Sequence, residues 1–152
     1  MKHLLIILSL FLFSFTYISC SKSSDDGSTS TDNTTTSPWT KQLGTSSTDG
    51  GSGVTTDSSG NIYVTGQTQG GLDGNTNSGE TDIFLVKYNS SGTKQWTKQL
   101  GTSSSELGYG VTTDSSDNIY VTGYTYGGLD GNTNSGESDI FLVKYNSSGI
   151  IQ

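Results

Sequence analysis

Oxygen-bearing side chains occupy alternate positions in a loop that occurs twice in this sequence. Calcium loops of the Asp-x-Asn-x-Asn kind surround the ion with oxygens at this spacing. The match is partial, because Ser78 stands where an EF-hand needs glycine and Phe84 where it needs glutamate. A connecting loop uses the same residue types, so we interpret the segment first as a connection and keep calcium as the alternative. The candidate ligands are Asp73, Asn75, Asn77 and Asp82 in the first copy and Asp130, Asn132, Asn134 and Asp139 in the second.

Residues suited to catalysis are scarce. The only histidine is His3, so none is left downstream of residue 20 to activate one of the many serines. Glu80 and Asp82 have the residue types for glycoside hydrolysis, but acidic residues in a Gly/Asn-rich loop are typical of turns and strand starts. We therefore expect no enzymatic activity and, calcium apart, no cofactor.

Three tyrosines distinguish the second copy of the repeated segment from the first. Exposed tyrosines suit contact with sugar or protein, because they offer a large area at a small cost in conformational entropy. The alternative, which we favour at this point, is packing of aromatic side chains across neighbouring strands. The candidate binding residues are Tyr109, Tyr124 and Tyr126, in place of Ser52, Gln67 and Gln69.

The amino-acid composition and the net charge limit the functions that this chain can have. Only 29% of the 152 residues are hydrophobic, and the net charge is −7 with seven basic residues, all lysine. Nucleic-acid binding depends on a basic surface, so this balance argues against it.

The N-terminus carries a predicted export signal. Leu4–Phe15 is an apolar run of 12 residues, too short to span a bilayer, which takes about 20. It ends shortly before Ser19-Cys20, which resembles the lipobox of bacterial lipoproteins and implies lipidation of Cys20, with an ordinary secretory signal as the alternative. We predict a lipoprotein signal peptide at 1–19 and a flexible, disordered Ser/Thr/Asp tether at 20–38. The expected location is the bacterial envelope, through a lipid anchor in the outer membrane.

The rest of the chain is one unit repeated. Residues 39–95 align without a gap on residues 96–152, and the two 57-residue copies differ at ten positions. Short β-branched and aromatic runs predict four strands in each copy, at 39–43, 53–56, 62–65 and 82–88 in the first. Asp57 is expected to fold its carboxylate back onto the turn amides of the central hairpin. The sequence therefore predicts an all-β fold of two four-stranded antiparallel propeller-type blades, a partial propeller.

Three motifs carry a family resemblance. They are W-x-K-x-L-G, G-V-x-x-D-x-x-G-N-I-Y-V-T-G and D-I-F-L-V-K-Y-N-x-x-G, and together they run from Trp39 to Gln152. This order resembles the bacterial β-propeller repeat (SBBP) of seven-bladed propellers. The resemblance implies a surface, secreted or lipoprotein location and brings no general catalytic residues.

Two blades leave an apolar face exposed at each end, because blades hide such residues against their neighbours. We expect a non-enzymatic surface scaffold or recognition module for protein or glycan. We also favour the interpretation that the chain is a truncated copy of a longer array. The competing hypothesis is a subunit that completes a propeller ring by self-association through the exposed blade faces.

Overall fold

The computed structural model describes residues 38–152. The predicted signal peptide, the lipidation site Cys20 and the tether up to residue 37 lie outside the described residues. Within residues 38–152, no helix is long and apolar enough to cross a membrane.

Two antiparallel sheets make up the described fold, which confirms the all-β prediction. The first sheet has the order β1-β2-β3-β4 and the second the order β5-β6-β7, so the second has three strands where four were predicted. Short 3-10 turns at Leu72–Gly74 and Leu129–Gly131 interrupt the long connections. The strands are β1 (Asp49–Thr56), β2 (Ile62–Thr68), β3 (Asp82–Tyr88), β4 (Lys94–Leu100), β5 (Glu106–Thr113), β6 (Ile119–Thr125) and β7 (Asp139–Tyr145).

The first sheet crosses the boundary between the repeats. Its outer strand β4 belongs to the second repeat, and it pairs with β3 in the register Ile83↔Leu100, Leu85↔Lys98 and Lys87↔Trp96. Blade and repeat are therefore out of phase by one strand. The described residues contain no strand of the second sheet that matches β4.

The prediction of a strand at Trp39–Leu43 is wrong. This segment is the counterpart of Trp96–Leu100, yet it has no strand structure in the first repeat. A strand exists only where its backbone groups pair with a neighbour, and the described residues place no strand edge beside this segment. The segment nevertheless contacts the first sheet, since Leu43 packs against the cluster of Leu72, Phe84 and Val86.

The central hairpin forms as predicted, and Asp57 anchors its turn. The Asp57 carboxylate accepts hydrogen bonds from the backbone N–H groups of Ser59 (3.0 Å) and Asn61 (2.8 Å) and from the Tyr63 hydroxyl (2.9 Å). The fourth turn residue has a left-handed backbone, with φ 76° at Gly60 and φ 60° at its counterpart Asp117. Asparagine and aspartate tolerate this conformation better than other non-glycine residues, which is why the substitution is accommodated.

Each sheet has two faces, defined here by their apolar residues. The front face of the first sheet carries Val64, Leu72, Phe84, Val86 and Tyr88, and its back face carries Tyr63, Ile83 and Leu85. The second sheet has the equivalent front face of Val121, Leu129, Phe141, Val143 and Tyr145 and the equivalent back face of Tyr120, Ile140 and Leu142. The main core forms where the back face of the first sheet packs on the front face of the second, with Trp96 and Leu100 of β4 added.

Identical residues have opposite environments in the two copies. Ile83 and Leu85 are 2% and 1% exposed, whereas their counterparts Ile140 and Leu142 are 84% and 71% exposed. In the first copy the second sheet covers the back face and β4 flanks β3, whereas β7 is the last strand of its sheet. A blade of this sequence therefore depends on the next blade to bury its back face, as stacked repeats do.

A glycine allows the inner strands of the two sheets to come close together. A Cβ atom at Gly108 would lie 2.8 Å from the Gly66 carbonyl oxygen across the interface. At the equivalent Gly51, whose face is open, the nearest atom to an added Cβ would be Val64 Cγ1 at 3.9 Å. The requirement for glycine comes from the neighbouring sheet and not from the strand itself.

Candidate functional site

The back face of the second sheet is an exposed apolar surface. Ile140 and Leu142 lie on it, and Tyr124 pairs directly with Ile140 in the β6–β7 register. Tyr109 lies in the β-bulge between Gly108 and Gly110, so it has no paired residue on β6. We refer to this surface as the open back face.

Tyr109 and Tyr124 form a pair on the open back face. Their ring centroids are 5.3 Å apart and the rings are tilted by 64°, an edge-to-face arrangement. The two side chains are 50% and 47% exposed, so they pack against each other and still present a ring surface to solvent. The two interpretations made from sequence, cross-strand packing and ligand contact, are therefore compatible here.

Tyr126 occupies a different place, although it is also 47% exposed. Strand β6 ends at Thr125, and the Tyr126 backbone N–H donates to the Ser105 carbonyl oxygen (3.0 Å). Its side chain lines a shallow cavity where the two sheets meet, together with Glu80, Leu107 and the serines at 103–105. The structure thus brings Tyr109 and Tyr124 together and sets Tyr126 at the junction of the sheets.

The first oxygen-rich loop is held by its own side chains. Asp73 forms an ion pair with Lys94 and accepts a hydrogen bond from Thr97 Oγ1 (2.9 Å). The hydrogen bonds from Lys94 and Thr97 hold the pKa of the Asp73 carboxyl below its ordinary value. A lysine ammonium group is already present where the first calcium ligand was predicted.

The other predicted ligands of this loop also have protein partners. Asn75 Nδ2 donates to the Leu72 carbonyl (2.8 Å), and Asn77 Nδ2 donates to the carbonyls of Gln69 (3.1 Å) and Gly79 (2.9 Å). Asp82 is fully buried, and its Oδ2 accepts from the Ser78 N–H and from Gln99 Nε2, both at 2.9 Å. In the described part of the chain, two buried side-chain oxygens lack a hydrogen-bond partner, Asn77 Oδ1 and Asp82 Oδ1.

The second loop repeats the pattern with fewer contacts. Asn132 Nδ2 donates to the Leu129 carbonyl (2.9 Å), Asn134 Oδ1 accepts from the Gly136 N–H (3.0 Å), and Asp139 Oδ2 accepts from the Ser135 N–H (2.7 Å). Asp130 has Ile151 at the position that Lys94 holds in the first copy.

Calcium takes roughly six to eight oxygen ligands. Within residues 38–152, no three His, Cys, Asp or Glu side chains lie together in a way that would hold a metal ion. The contacts made by the loops are those of a connecting segment, and calcium binding stays a prediction.

A buried carboxylate that the sequence did not single out organises the entry into β5. Glu106 is fully buried and accepts hydrogen bonds from the Thr102 N–H and Oγ1, both at 2.7 Å, and from Thr125 Oγ1 at 2.9 Å. Asp49 takes the same place in the first repeat, with Thr45 and Thr68 as donors. An acidic residue four positions after threonine in both copies was the available signal.

The hairpin carboxylates make stability depend on pH. Burial raises the pKa of Asp57, but hydrogen bonds from Asn61, Tyr63 and Ser59 outweigh it and lower the pKa below 3.8. In the second copy, hydrogen bonds led by the Asn118 side chain lower the pKa of Asp114 to about 2. Burial raises the pKa of Tyr145 to about 12 and also raises that of Tyr63 above 10.0.

We expect the free energy of unfolding to be constant at intermediate pH and to fall at both acid and alkaline pH, which we call the acid flank and the alkaline flank. The lowered aspartate pKa values stabilise the fold above pH 3.8, and this contribution is lost as the pH falls through the folded value of about 2. The raised tyrosine pKa values stabilise the fold below pH 10.0, and this contribution is lost as the pH rises toward about 12. Urea unfolding followed by tryptophan fluorescence across this range measures both flanks. The double variant Asp57→Asn, Asp114→Asn should reduce the acid flank, with Asp49 and Asp73 retaining part of it, and an unchanged acid flank would contradict the assignment.

The comparisons with known proteins agree with this architecture. The family model described as the SBBP beta-propeller repeat matches residues 39–73 and 95–130. Among curated proteins, an uncharacterized WD repeat-containing protein of Acanthamoeba polyphaga mimivirus is 52% identical over 48 residues, which is 32% of this chain and 3% of that protein. The chain thus matches only a small part of that relative. The two matched segments and the two antiparallel sheets agree with a partial propeller built from repeats similar to the SBBP beta-propeller repeat.

Proposed function

We propose that this chain is a non-enzymatic recognition module of a bacterial cell envelope, which binds a protein or glycan through its open back face. Lipidation of Cys20 and the tether that follows would hold the module to the outer membrane, facing away from the cytoplasm. The tyrosine pair is the observation that carries the proposal. Tyr109 and Tyr124 add half-exposed aromatic surface to a face that already carries Ile140 and Leu142.

The physical basis is the suitability of tyrosine for contact surfaces. A tyrosine ring buries a large area and loses only two side-chain torsions, and its hydroxyl can exchange water for a ligand group. Contiguous apolar surface on a folded domain commonly marks an interaction site. The exposed Ile140 and Leu142 side chains extend the surface beyond the two rings.

The contacts of the acidic residues support a non-enzymatic role. Glu80 accepts a hydrogen bond from Ser105 Oγ (3.0 Å) at the sheet junction, while Asp82 is buried against Gln99. These two carboxylates have separate structural partners. They are therefore poorly placed to act as an acid and a nucleophile on one sugar.

The chain supplies its own test of the tyrosines. The triple variant Tyr109→Ser, Tyr124→Gln, Tyr126→Gln installs the residues that the first repeat carries at the equivalent positions. Binding to an array of bacterial envelope oligosaccharides, and to extracted envelope proteins immobilised beside it, should weaken by about tenfold or more, since interface tyrosines often contribute over about 1 kcal/mol.

The matched control changes the same positions of the first repeat. Ser52→Ala, Gln67→Ala, Gln69→Ala should leave binding unchanged. Equal binding by the tyrosine variant and the wild type, or the absence of binding to every immobilised probe, would contradict the proposal.

A further inference from the structure

We propose that the partner of the open back face is a second copy of this chain, whose first sheet docks on it head to tail. This inference rests on the proposed function in using the same face, and it names the partner. The occupant is identified by the interface inside the chain. There, the back face of the first sheet packs on the front face of the second.

The two unpaired faces reproduce the two halves of that internal interface. The open back face shares its apolar strand residues with the buried one, with Tyr120, Ile140 and Leu142 in place of Tyr63, Ile83 and Leu85, and differs from it in Tyr109 and Tyr124, which replace Ser52 and Gln67. The front face of the first sheet has the same residues as the buried front face of the second, including Val64, Leu72 and Phe84 in place of Val121, Leu129 and Phe141. An interface already formed between two such faces within the chain can therefore form between chains.

The segment Trp39–Leu43 is positioned to complete the partner's second sheet. Its counterpart β4 contacts the turn that follows β7, where a Cβ at Gly149 would lie 2.8 Å from Lys98 Cε. In the same way, a Cβ at Gly92 would lie 3.0 Å from Lys41 Cε and 2.7 Å from the Trp39 ring. Trp39–Leu43 thus lies on its own first sheet as β4 lies on the second, but without a strand to pair with.

Strand β7 offers that missing edge. Within residues 38–152, its backbone partners beyond β6 are a bridge between Tyr145 and Ile151 and a hydrogen bond from the Gln152 N–H to the Lys144 carbonyl (3.0 Å). The β3–β4 register, moved by one repeat, pairs Ile140 with Leu43, Leu142 with Lys41 and Lys144 with Trp39 of the second copy.

The front face has room for the incoming strand. An apolar groove runs between Trp39–Leu43 and the front face of the first sheet, lined by Leu72, Phe84 and Val86. In the internal interface, Ile83 and Leu85 fill the equivalent space next to Trp96 and Leu100. Ile140 and Leu142 of one copy are the residues that would enter the groove of the next.

The close backbone approach is also retained. The internal contact needs a glycine at 108 opposite Gly66, and the intermolecular contact would set Gly51 opposite Gly123. Two polar links have equivalents as well. Thr113 Oγ1 donates to the Thr56 carbonyl (3.0 Å) and Lys87 Nζ to the Ser147 carbonyl (3.2 Å), and these donors and acceptors exist in the other repeat.

Head-to-tail contacts of this kind are heterologous, so copies add until the rotation between them closes a ring, and an open assembly keeps one free face of each type. Sedimentation velocity of the full chain in a mild detergent should therefore show a weight-average sedimentation coefficient that rises with concentration. Leu142→Lys damages the back face, and Gly51→Ala damages the front face. Each variant should stay monomeric while keeping the unfolding midpoint of the wild type, because Leu142 is exposed and Gly51 has space for a Cβ.

Mixing the two variants gives the decisive result. Leu142→Lys keeps an intact front face and Gly51→Ala an intact back face, so an equimolar mixture should form a dimer and nothing larger. Ser116→Lys adds the same charge at an exposed turn and should assemble like the wild type.

Register provides a separate check of the strand pairing. With Cys20→Ser in both chains, Lys41→Cys in one chain should form a disulfide with Leu142→Cys in the other, as Lys98→Cys with Leu85→Cys should within one chain. Lys41→Cys with Ile140→Cys, which is out of register, should cross-link poorly.

A wild-type chain that stays monomeric at hundreds of micromolar, or assembly that survives Leu142→Lys, would overturn the inference. Loss of oligosaccharide or protein binding in the tyrosine variant, with a monomeric wild type, would leave the proposed function standing and remove only the self-association. Self-association of the wild type without binding to any oligosaccharide or protein probe would support the self-association and contradict the proposed recognition function.

Discussion

Leu85→Ala is expected to lower the free energy of unfolding by about 2–5 kcal/mol, while Leu142→Ala changes it by no more than about 0.5 kcal/mol. The two leucines occupy the same position of two nearly identical repeats. Leu85 is 1% exposed and packs into the core between the sheets, whereas Leu142 is 71% exposed. The difference between the variants therefore measures what the neighbouring blade and the flanking strand β4 together contribute at one residue.

Chemical denaturation of both variants at low protein concentration, followed by tryptophan fluorescence, provides the measurement. Low concentration matters because self-association would cover Leu142. Ile83→Ala and Ile140→Ala repeat the comparison on the same strands, with exposures of 2% and 84%. Equal destabilisation by the two leucine variants would show that a blade buries its back face without a neighbour, and the stacked arrangement of the sheets would then be wrong.

Gly108→Ala should have the next largest effect, a loss of about 1–3 kcal/mol typical of an overpacked interior. The new Cβ would lie 2.8 Å from the Gly66 carbonyl oxygen, closer than real Cβ contacts, and backbone on both sides leaves little freedom to move away. The inner strands of the two sheets would have to separate. Differential scanning calorimetry should show a lowered Tm, and the tryptophan emission spectrum should show increased exposure of Trp96.

Gly51→Ala is the matched control for this substitution. Its Cβ would meet Val64 Cγ1 at 3.9 Å, an ordinary contact, so the monomer should keep its Tm. A similar loss in both variants would indicate that glycine is required by the bulge in the strand and not by the approach of the sheets.

Much of the fold follows from local sequence signals. The hairpin around Asp57 was predictable because an aspartate, a left-handed glycine and an asparagine specify the turn, and the structure places the Asp57 carboxylate on the Ser59 and Asn61 N–H groups. The apolar strand at 82–88 was predictable because both of its faces are covered. These features depend on residues close in sequence.

The errors come from what the sequence leaves open between repeats. A periodic sequence shows the length of the unit but not where the sheet begins, so four strands were assigned to each repeat. The structure joins β4 of the second repeat to the first sheet and leaves Trp39–Leu43 unpaired. Strand formation at these positions depends on backbone partners in another blade, which no local pattern records.

The candidate site was predictable in its residues but only partly in its arrangement. Comparing the two copies identified Tyr109, Tyr124 and Tyr126, since they are the tyrosines that one copy has and the other lacks. Strand β6 ends at Thr125, so Tyr126 lies beyond the strand that carries Tyr124, and the sequence does not show this boundary. The bulge that turns Tyr109 toward Tyr124 depends on the pairing of β5 with β6, which the sequence does not specify.

The one-strand offset between repeat and blade bears on how a gene of this kind can change in length. The junction Gln95–Trp96 lies inside β4, so covalent continuity from one coding unit to the next also closes a sheet. Unequal recombination that inserts or deletes one 57-residue unit would recreate the same junction, because each unit begins and ends at the same point of that strand. Blade number can then evolve in whole steps without an intermediate that has a broken sheet.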